Sequence, residues 1–118
     1  VPPWTTIGGA FEHAAAHDNQ PPWNLPAAWL KAKSALDLAT PLNFVSTAEI
    51  IGGNSGSPGV NRAAELVGVI FDGNIQSLTA GFYYSDRQAR AVSVDARAVR
   101  ECLRRIYTAD SLADELGR

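Results

Sequence analysis

Methionine is missing from all 118 residues, cysteine occurs once, and the charges nearly cancel. With no Met, the chain does not open on a translation start. No charged-then-apolar leader stands at its front either, so the expectation is a piece of a longer protein. The single Cys102 excludes an internal disulfide and leaves the redox compartment open. A net charge of −2 gives no electrostatic case for a nucleic-acid partner. No apolar run approaches the roughly 20 residues of a membrane-spanning helix. Repeats and low-complexity tracts are absent as well. What is present is an ordinary globular composition, 46% apolar and 19% charged, at a length that suits one domain.

Pattern divides the chain into three parts. Residues 1–40 read as an irregular and partly helical lead-in. Pro2, Pro3, Pro21, Pro22 and Pro26 interrupt regular structure over the first 26 residues. Trp4 and Trp23 in that stretch, and Trp29 just beyond it, suggest a segment lying on a partner surface or on missing chain. From Ala27 to Leu38 the apolar spacing predicts a helix of about three turns, with Pro26 at its first position. Residues 41–95 read as strands: "LNFVSTAEII", then "PGVN" and "ELVGVIF" as a hairpin, then "LTAGFYY" and "RAVSV" as another. Residues 96–118 read as C-terminal helices. Asp95 is placed to cap one from Ala96 to Tyr107, with Val99, Cys102, Leu103 and Ile106 on its apolar face and arginines on the rest. A short helix follows over 111–116.

One stretch breaks the strand pattern. "IGGNSGSPGV", Ile51–Val60, sets glycines around Ser55 between two apolar runs. A surface turn is one reading. The other is chemical. A serine hydroxyl is a weak nucleophile, so acyl transfer supplies it with a base for its proton and with backbone N–H groups for the oxyanion. Converging N–H groups need unusual backbone angles, which Gly52, Gly53 and Gly56 allow without a Cβ clash. A phosphate-cradling loop is the rival, but neither the G-x-x-x-x-G-K-[ST] pattern nor a nearby lysine is present to support it.

"GNSGSP" resembles the serine loop of chymotrypsin-like peptidases, G-D-S-G-G-P. The wider run "FVSTAEIIGGNSGSPGVNRAAELVGVIFDGN", then "AVSVDARAVRECLRRIY", and the opening "PWTTIGG" are similar to the C-terminal part of the bacterial dipeptidyl-peptidase 7 and 11 family. These are serine exopeptidases that release dipeptides from a free N-terminus. The resemblance spans nearly the whole chain. It implies a mainly β fold, part of the second barrel of a chymotrypsin-like double β-barrel, with a helix on its N-terminal side and a C-terminal helix. By resemblance Ser55 matches the nucleophile, and the N–H groups of Gly53 and Ser55 match the oxyanion hole. Asp72 matches the carboxylate that pairs with the substrate's α-ammonium group. Gly73 matches the floor of the specificity pocket, where glycine goes with hydrophobic side chains and arginine with acidic ones. The family also implies no cofactor, a peptide partner with a free N-terminus, a homodimer with a helical cap in full-length members, and a periplasmic or secreted location.

The chain departs from the pattern in two ways. Asn54 stands where trypsin-like enzymes carry the aspartate that ion-pairs with a newly cut N-terminus, so activation by that route is not expected. The histidine and aspartate of a triad find no place in this chain and are assigned to its missing N-terminal part, which leaves the isolated chain inactive. His13 and His17, in "HAAAH", sit at i and i+4 as in zinc sites, yet the glutamate of H-E-x-x-H and a third ligand are missing. They also lie too near Ser55 in sequence for a whole first barrel to intervene, so a surface or loop role is expected and no metal. Cys102 reads as a core thiol. The alternative to an enzyme is a non-catalytic interaction or structural module that keeps the serine-loop geometry.

Overall fold

Thr6 ends a short strand and starts a helix, and this one residue overturns the reading of the first 26 residues as irregular. Its backbone is extended, and its Oγ1 accepts from Gly9 N at 3.0 Å, filling the N-cap role. In the computed structural model, which describes residues 2–50, 52–74 and 89–117, β1 (Trp4–Thr6) runs directly into α1 (Ile7–Ala16). The five prolines of that stretch all lie outside α1, so none interrupts its hydrogen-bond ladder. The helix buries Ile7, Phe11 and Ala14, spaced to share one face.

The second helix, α2 (Ala27–Ala32), is shorter than the expected three turns, and Pro26 is its N-cap rather than its first residue. Beyond it Ala35 N and Leu36 N both donate to Ala32 O, tightening the chain into turns. Leu36 ends up 7% exposed against Ile7 and Phe11, so burial of its side chain accompanies the early end of the helix. Asp37 then stops regular structure: its Oδ1 accepts from Ala39 N, and its own N–H donates to Glu101 Oε1 at 2.9 Å.

The chain continues through β2 (Pro41–Ser46), β3 (Pro58–Val60), β4 (Leu66–Gly73) and β5 (Ala91–Asp95) to α3 (Ala96–Arg105) and α4 (Asp110–Leu116). Its residues group into two units, one of Val1–Trp4 with Asn43–Ala96 and one of Thr5–Leu42 with Arg97–Arg118.

The helical unit has an apolar core. Ile7, Phe11 and Leu36 form its centre, with Leu25, Trp29, Ala32, Leu42 and Ile106 packed on it. Trp29 meets Phe11 with ring centroids 6.5 Å apart, and Trp23 stacks on His17. Trp29 thus packs within its own unit, whereas Trp23 and Trp4 remain 44% and 53% exposed. On α3 the most buried residue is Ala98, with Cys102, Leu103 and Ile106 half-buried beside it, while Val99 is exposed. Three of the four residues expected on the apolar face are thus half-buried, and only Val99 departs from it, with Ala98 buried beside it. Arg104 joins α3 to α4 through Asp114 at 2.5 Å and Asp110 at 3.5 Å, an exposed pairing of small energetic weight.

The sheet has strand order β1-β2-β5-β4-β3. Its pairs β2/β5, β5/β4 and β4/β3 are antiparallel. The hairpin expected from "PGVN" and "ELVGVIF" is β3 with β4. Asn61 builds its turn, accepting from Ala63 N and Glu65 N while its amide donates to Glu65 Oε2. Gly68 is dictated by space: a Cβ there would lie 2.5 Å from Val94 O and 2.6 Å from the Phe44 ring, which crosses over it. "LTAGFYY", expected as the partner of "RAVSV" in a second hairpin, lies outside the described residues; β5 itself forms at that second segment. α3 begins directly after Asp95, which is buried, matching the expected cap position.

Candidate active site

The glycine-rich segment forms a turn tied to the sheet at one place. Ser57 N donates to Asn54 O at 2.9 Å, closing a four-residue turn over Asn54, Ser55, Gly56 and Ser57. Gly56 has φ +89° at the third position, where a type II turn requires a positive angle, and Gly53 before it has φ +101°. Both are conformations in which a side chain is strained. This puts Ser55 at the first corner of the turn, exposed. Two further bonds fasten the turn to β4, from Gly56 N to Ile70 O at 2.8 Å and from Ile70 N to Ser57 O at 3.0 Å. Among the described residues the backbone N–H groups of Gly53 and Ser55 have no acceptor. The Asn54 side of the turn is half-buried and engaged, whereas the Ser55 side faces outward.

Asp72 and Gly73 follow Ile70 at the end of the same strand. Between Ile70 and Asp72 the register with β5 shifts: Ile70 pairs with Ser93, Asp72 with Val92 and Gly73 with Ala91, leaving Phe71 as an extra residue. Such a bulge bends the strand and re-aims the side chains beside it. Asp72 is exposed, and its Oδ1 accepts from Gly73 N at 2.8 Å, leaving its other oxygen for a further donor. Asn74 N donates to Arg90 O at 3.0 Å and Arg90 N to Asn74 Oδ1 at 2.9 Å, which closes the strand pair just past Gly73.

Four residues singled out in the sequence, Gly53, Ser55, Asp72 and Gly73, thus belong to one unit, where a loop and a strand end share Ile70 as their junction. Sequence reasoning missed that junction and the Phe71 bulge. Neither has a residue-type signature, because both arise from strand register.

The other candidates lie in the helical unit. His13 is exposed on the last turn of α1, and His17 is its C-cap, with Nδ1 2.9 Å from His13 O. Their ring centroids are 4.6 Å apart, and His17 stacks on Trp23 at 4.1 Å and 19°. Among the described residues no group of three or more His, Cys, Asp and Glu gathers as a metal cluster. Cys102 is half-buried, and burial, then the nearby charge of Glu101, pushes its thiol pKa up, away from the reactive thiolate.

Comparison with known proteins gives the loop its context. The profile of the peptidase S46 family matches residues 1–118. Dipeptidyl-peptidase 7 of Phocaeicola vulgatus is 31% identical over 96% of this chain, which is 16% of the relative. An Asp/Glu-specific dipeptidyl-peptidase of Shewanella putrefaciens is 38% identical over 66% of the chain and 11% of its own length. The crystal structure of Porphyromonas endodontalis DPP11 in complex with the dipeptide Arg-Asp matches with a TM-score of 0.82 at 24% identity. That match covers 98% of this chain and 18% of the other. The chain spans less than a fifth of the length of each of these relatives.

Proposed function

The chain belongs to the peptidase S46 family, and we propose that it carries the nucleophile and the substrate's amino-end anchor of a serine dipeptidyl-peptidase. The observation that carries this reading is the turn itself: an exposed serine between two positive-φ glycines, hydrogen-bonded to a strand that ends two and three residues later in Asp72 and Gly73.

In this reading Ser55 Oγ attacks the carbonyl carbon of the second peptide residue, and its proton passes to a histidine outside these 118 residues. The N–H groups of Gly53 and Ser55 receive the oxyanion, for which converging donors of fixed direction are the main source of transition-state stabilisation. The amine half leaves, and water hydrolyses the acyl-enzyme. The free oxygen of Asp72 pairs with the α-ammonium of the substrate. A carboxylate in that role leaves an internal peptide segment, which carries no α-ammonium, without a matching charge. Gly73 leaves space at the pocket floor, which favours an apolar residue before the cut. This contrasts with the Asp/Glu specificity in the name of the Shewanella relative.

The chain is read as the C-terminal part of a catalytic domain built as a chymotrypsin-like pair of barrels, with the triad histidine and aspartate in the preceding part. The parent is read as a periplasmic or secreted homodimer that needs no cofactor. The deciding experiment is labelling of the intact enzyme by a fluorophosphonate, which reacts only with an activated serine. Labelling that disappears in Ser55→Ala is expected. Labelling of the Ser55→Ala protein at the parent level removes Ser55 from the reaction.

A further inference from the structure

His13 and His17 play no part in the proposed peptide hydrolysis, yet their arrangement is specific. They are four residues apart at the C-terminal end of α1, and their rings approach to 4.6 Å between centroids at a tilt of 56°. That separation suits one ion bridging two imidazoles through bonds of roughly 2 Å each.

The second observation concerns the proton. His17 Nδ1 lies 2.9 Å from His13 O. A carbonyl oxygen only accepts, so Nδ1 carries the hydrogen and the lone pair of the neutral ring sits on Nε2. Donation of one ring N–H to a backbone carbonyl is the arrangement that orients a metal-binding histidine and leaves its other nitrogen to the ion. Trp23 covers one face of the His17 ring at 4.1 Å and 19°, holding the plane while leaving the ring edge uncovered by the stack. His13 is exposed and His17 half-buried, so the site is reachable. Glu12 and Asp18, both exposed, flank the pair in sequence and add negative charge for an incoming cation.

We propose that His13 and His17 form a surface chelate for a first-row divalent transition metal, with water completing the coordination. Imidazole ligands suit copper, nickel and zinc, and the intrinsic order of affinity puts Cu2+ above the other two. The site rests on none of the residues assigned to peptide hydrolysis and requires nothing of them.

The test is equilibrium dialysis of Cu2+ against the intact protein carrying this chain, compared with His13→Gln, His17→Gln and the double variant. The parent is expected to hold one more equivalent of copper than the double variant. Each single variant should lose on the order of 10²-fold in affinity for that equivalent, because binding through a second tethered ligand is then gone. Trp23→Leu should keep the equivalent but weaken it about tenfold through loss of ring orientation. The difference between parent and variant electron paramagnetic resonance spectra should show two coordinated nitrogens. Equal copper uptake by parent and variants, or a difference spectrum with a single nitrogen, overturns the chelate. Should the double variant fail to fold, either single variant decides the same question. Unchanged peptidase activity verifies folding of each.

Discussion

The two units of this chain are organised on different physical terms. In the helical unit Ile7, Phe11 and Leu36 are buried against one another, and five further apolar side chains pack on them. Among the described residues of the sheet unit the buried hydrophobic side chain is the small Ala91, alongside the polar Ser93 and Asp95, while Val45, Val60, Leu66 and Phe71 are exposed. Its order is carried by strand ladders and by the hydrogen bonds at Ile70. The candidate active site lies in the sheet unit, on a turn and a strand end. A peptide site needs backbone groups that are held in place yet reachable, which a ladder provides and a filled core does not. Substitutions in the two units should therefore separate stability from activity.

The sharpest break in that comparison is Ser55→Ala in the intact enzyme. Loss of a serine nucleophile typically lowers kcat by about 10⁶-fold. The exposed side chain touches little, so the melting temperature should hardly move. Turnover on a chromogenic dipeptide substrate and a thermal scan check both halves, and a residual rate near the parent's would place the nucleophile elsewhere. The converse belongs to the helical unit. Phe11, 6% exposed, contacts Trp29 and the core cluster. Phe11→Ala should cost roughly 3–5 kcal/mol in denaturant unfolding, while the rate per folded, probe-labelled molecule stays at the parent level.

Within the sheet unit the comparison sharpens at the strand end. Gly73→Arg would fill the proposed pocket floor with a cation. The ratio of kcat/KM for leucine-ending over aspartate-ending dipeptides should fall by well over tenfold, since an uncompensated charge against an apolar side chain costs several kcal/mol. An unchanged ratio, with both rates lowered equally, would make Gly73 a strand-end glycine only. Asp72→Ala removes a charge-assisted contact of roughly 1.5–3 kcal/mol, so kcat/KM should drop about tenfold or more on free peptides. N-acetylated peptides should be equally poor for parent and variant. Equal parent rates on free and acetylated peptides would dismiss the anchor.

The smallest effect is expected at Cys102 in the helical unit. Burial and Glu101 both disfavour its thiolate, so iodoacetamide should alkylate it more slowly than free cysteine at mildly alkaline pH, with a midpoint shifted upward. The sign follows for stability too. A raised folded-state pKa gives a contribution that is complete below the ordinary thiol range and is lost as pH rises through the raised value. Glu101→Gln should move the alkylation midpoint back down in part.

Much was legible in local residue types. The hairpin of β3 and β4, the helix after Asp95 and the short last helix follow from turn residues and apolar spacing, which act over a few residues. So did the serine turn, because Gly53 and Gly56 mark positions that only a positive φ explains. The helix in the first 26 residues is masked by five prolines in the sequence pattern, because α1 lies between them and is started by the Thr6 cap alone. The length of α2 was out of reach of its spacing, since burial of Leu36 beside Ile7 and Phe11 is a contact between distant segments. What the sequence determined by itself is the set of chemical parts: a serine among glycines, a carboxylate before a glycine, two imidazoles one helical turn apart. Only the tertiary structure decided how those parts meet. It fastened the turn to Ile70, bulged β4 at Phe71 ahead of Asp72, and turned His17 Nδ1 onto His13 O. Register and ring orientation are set by the sum of many weak long-range contacts, and no single residue type encodes that sum.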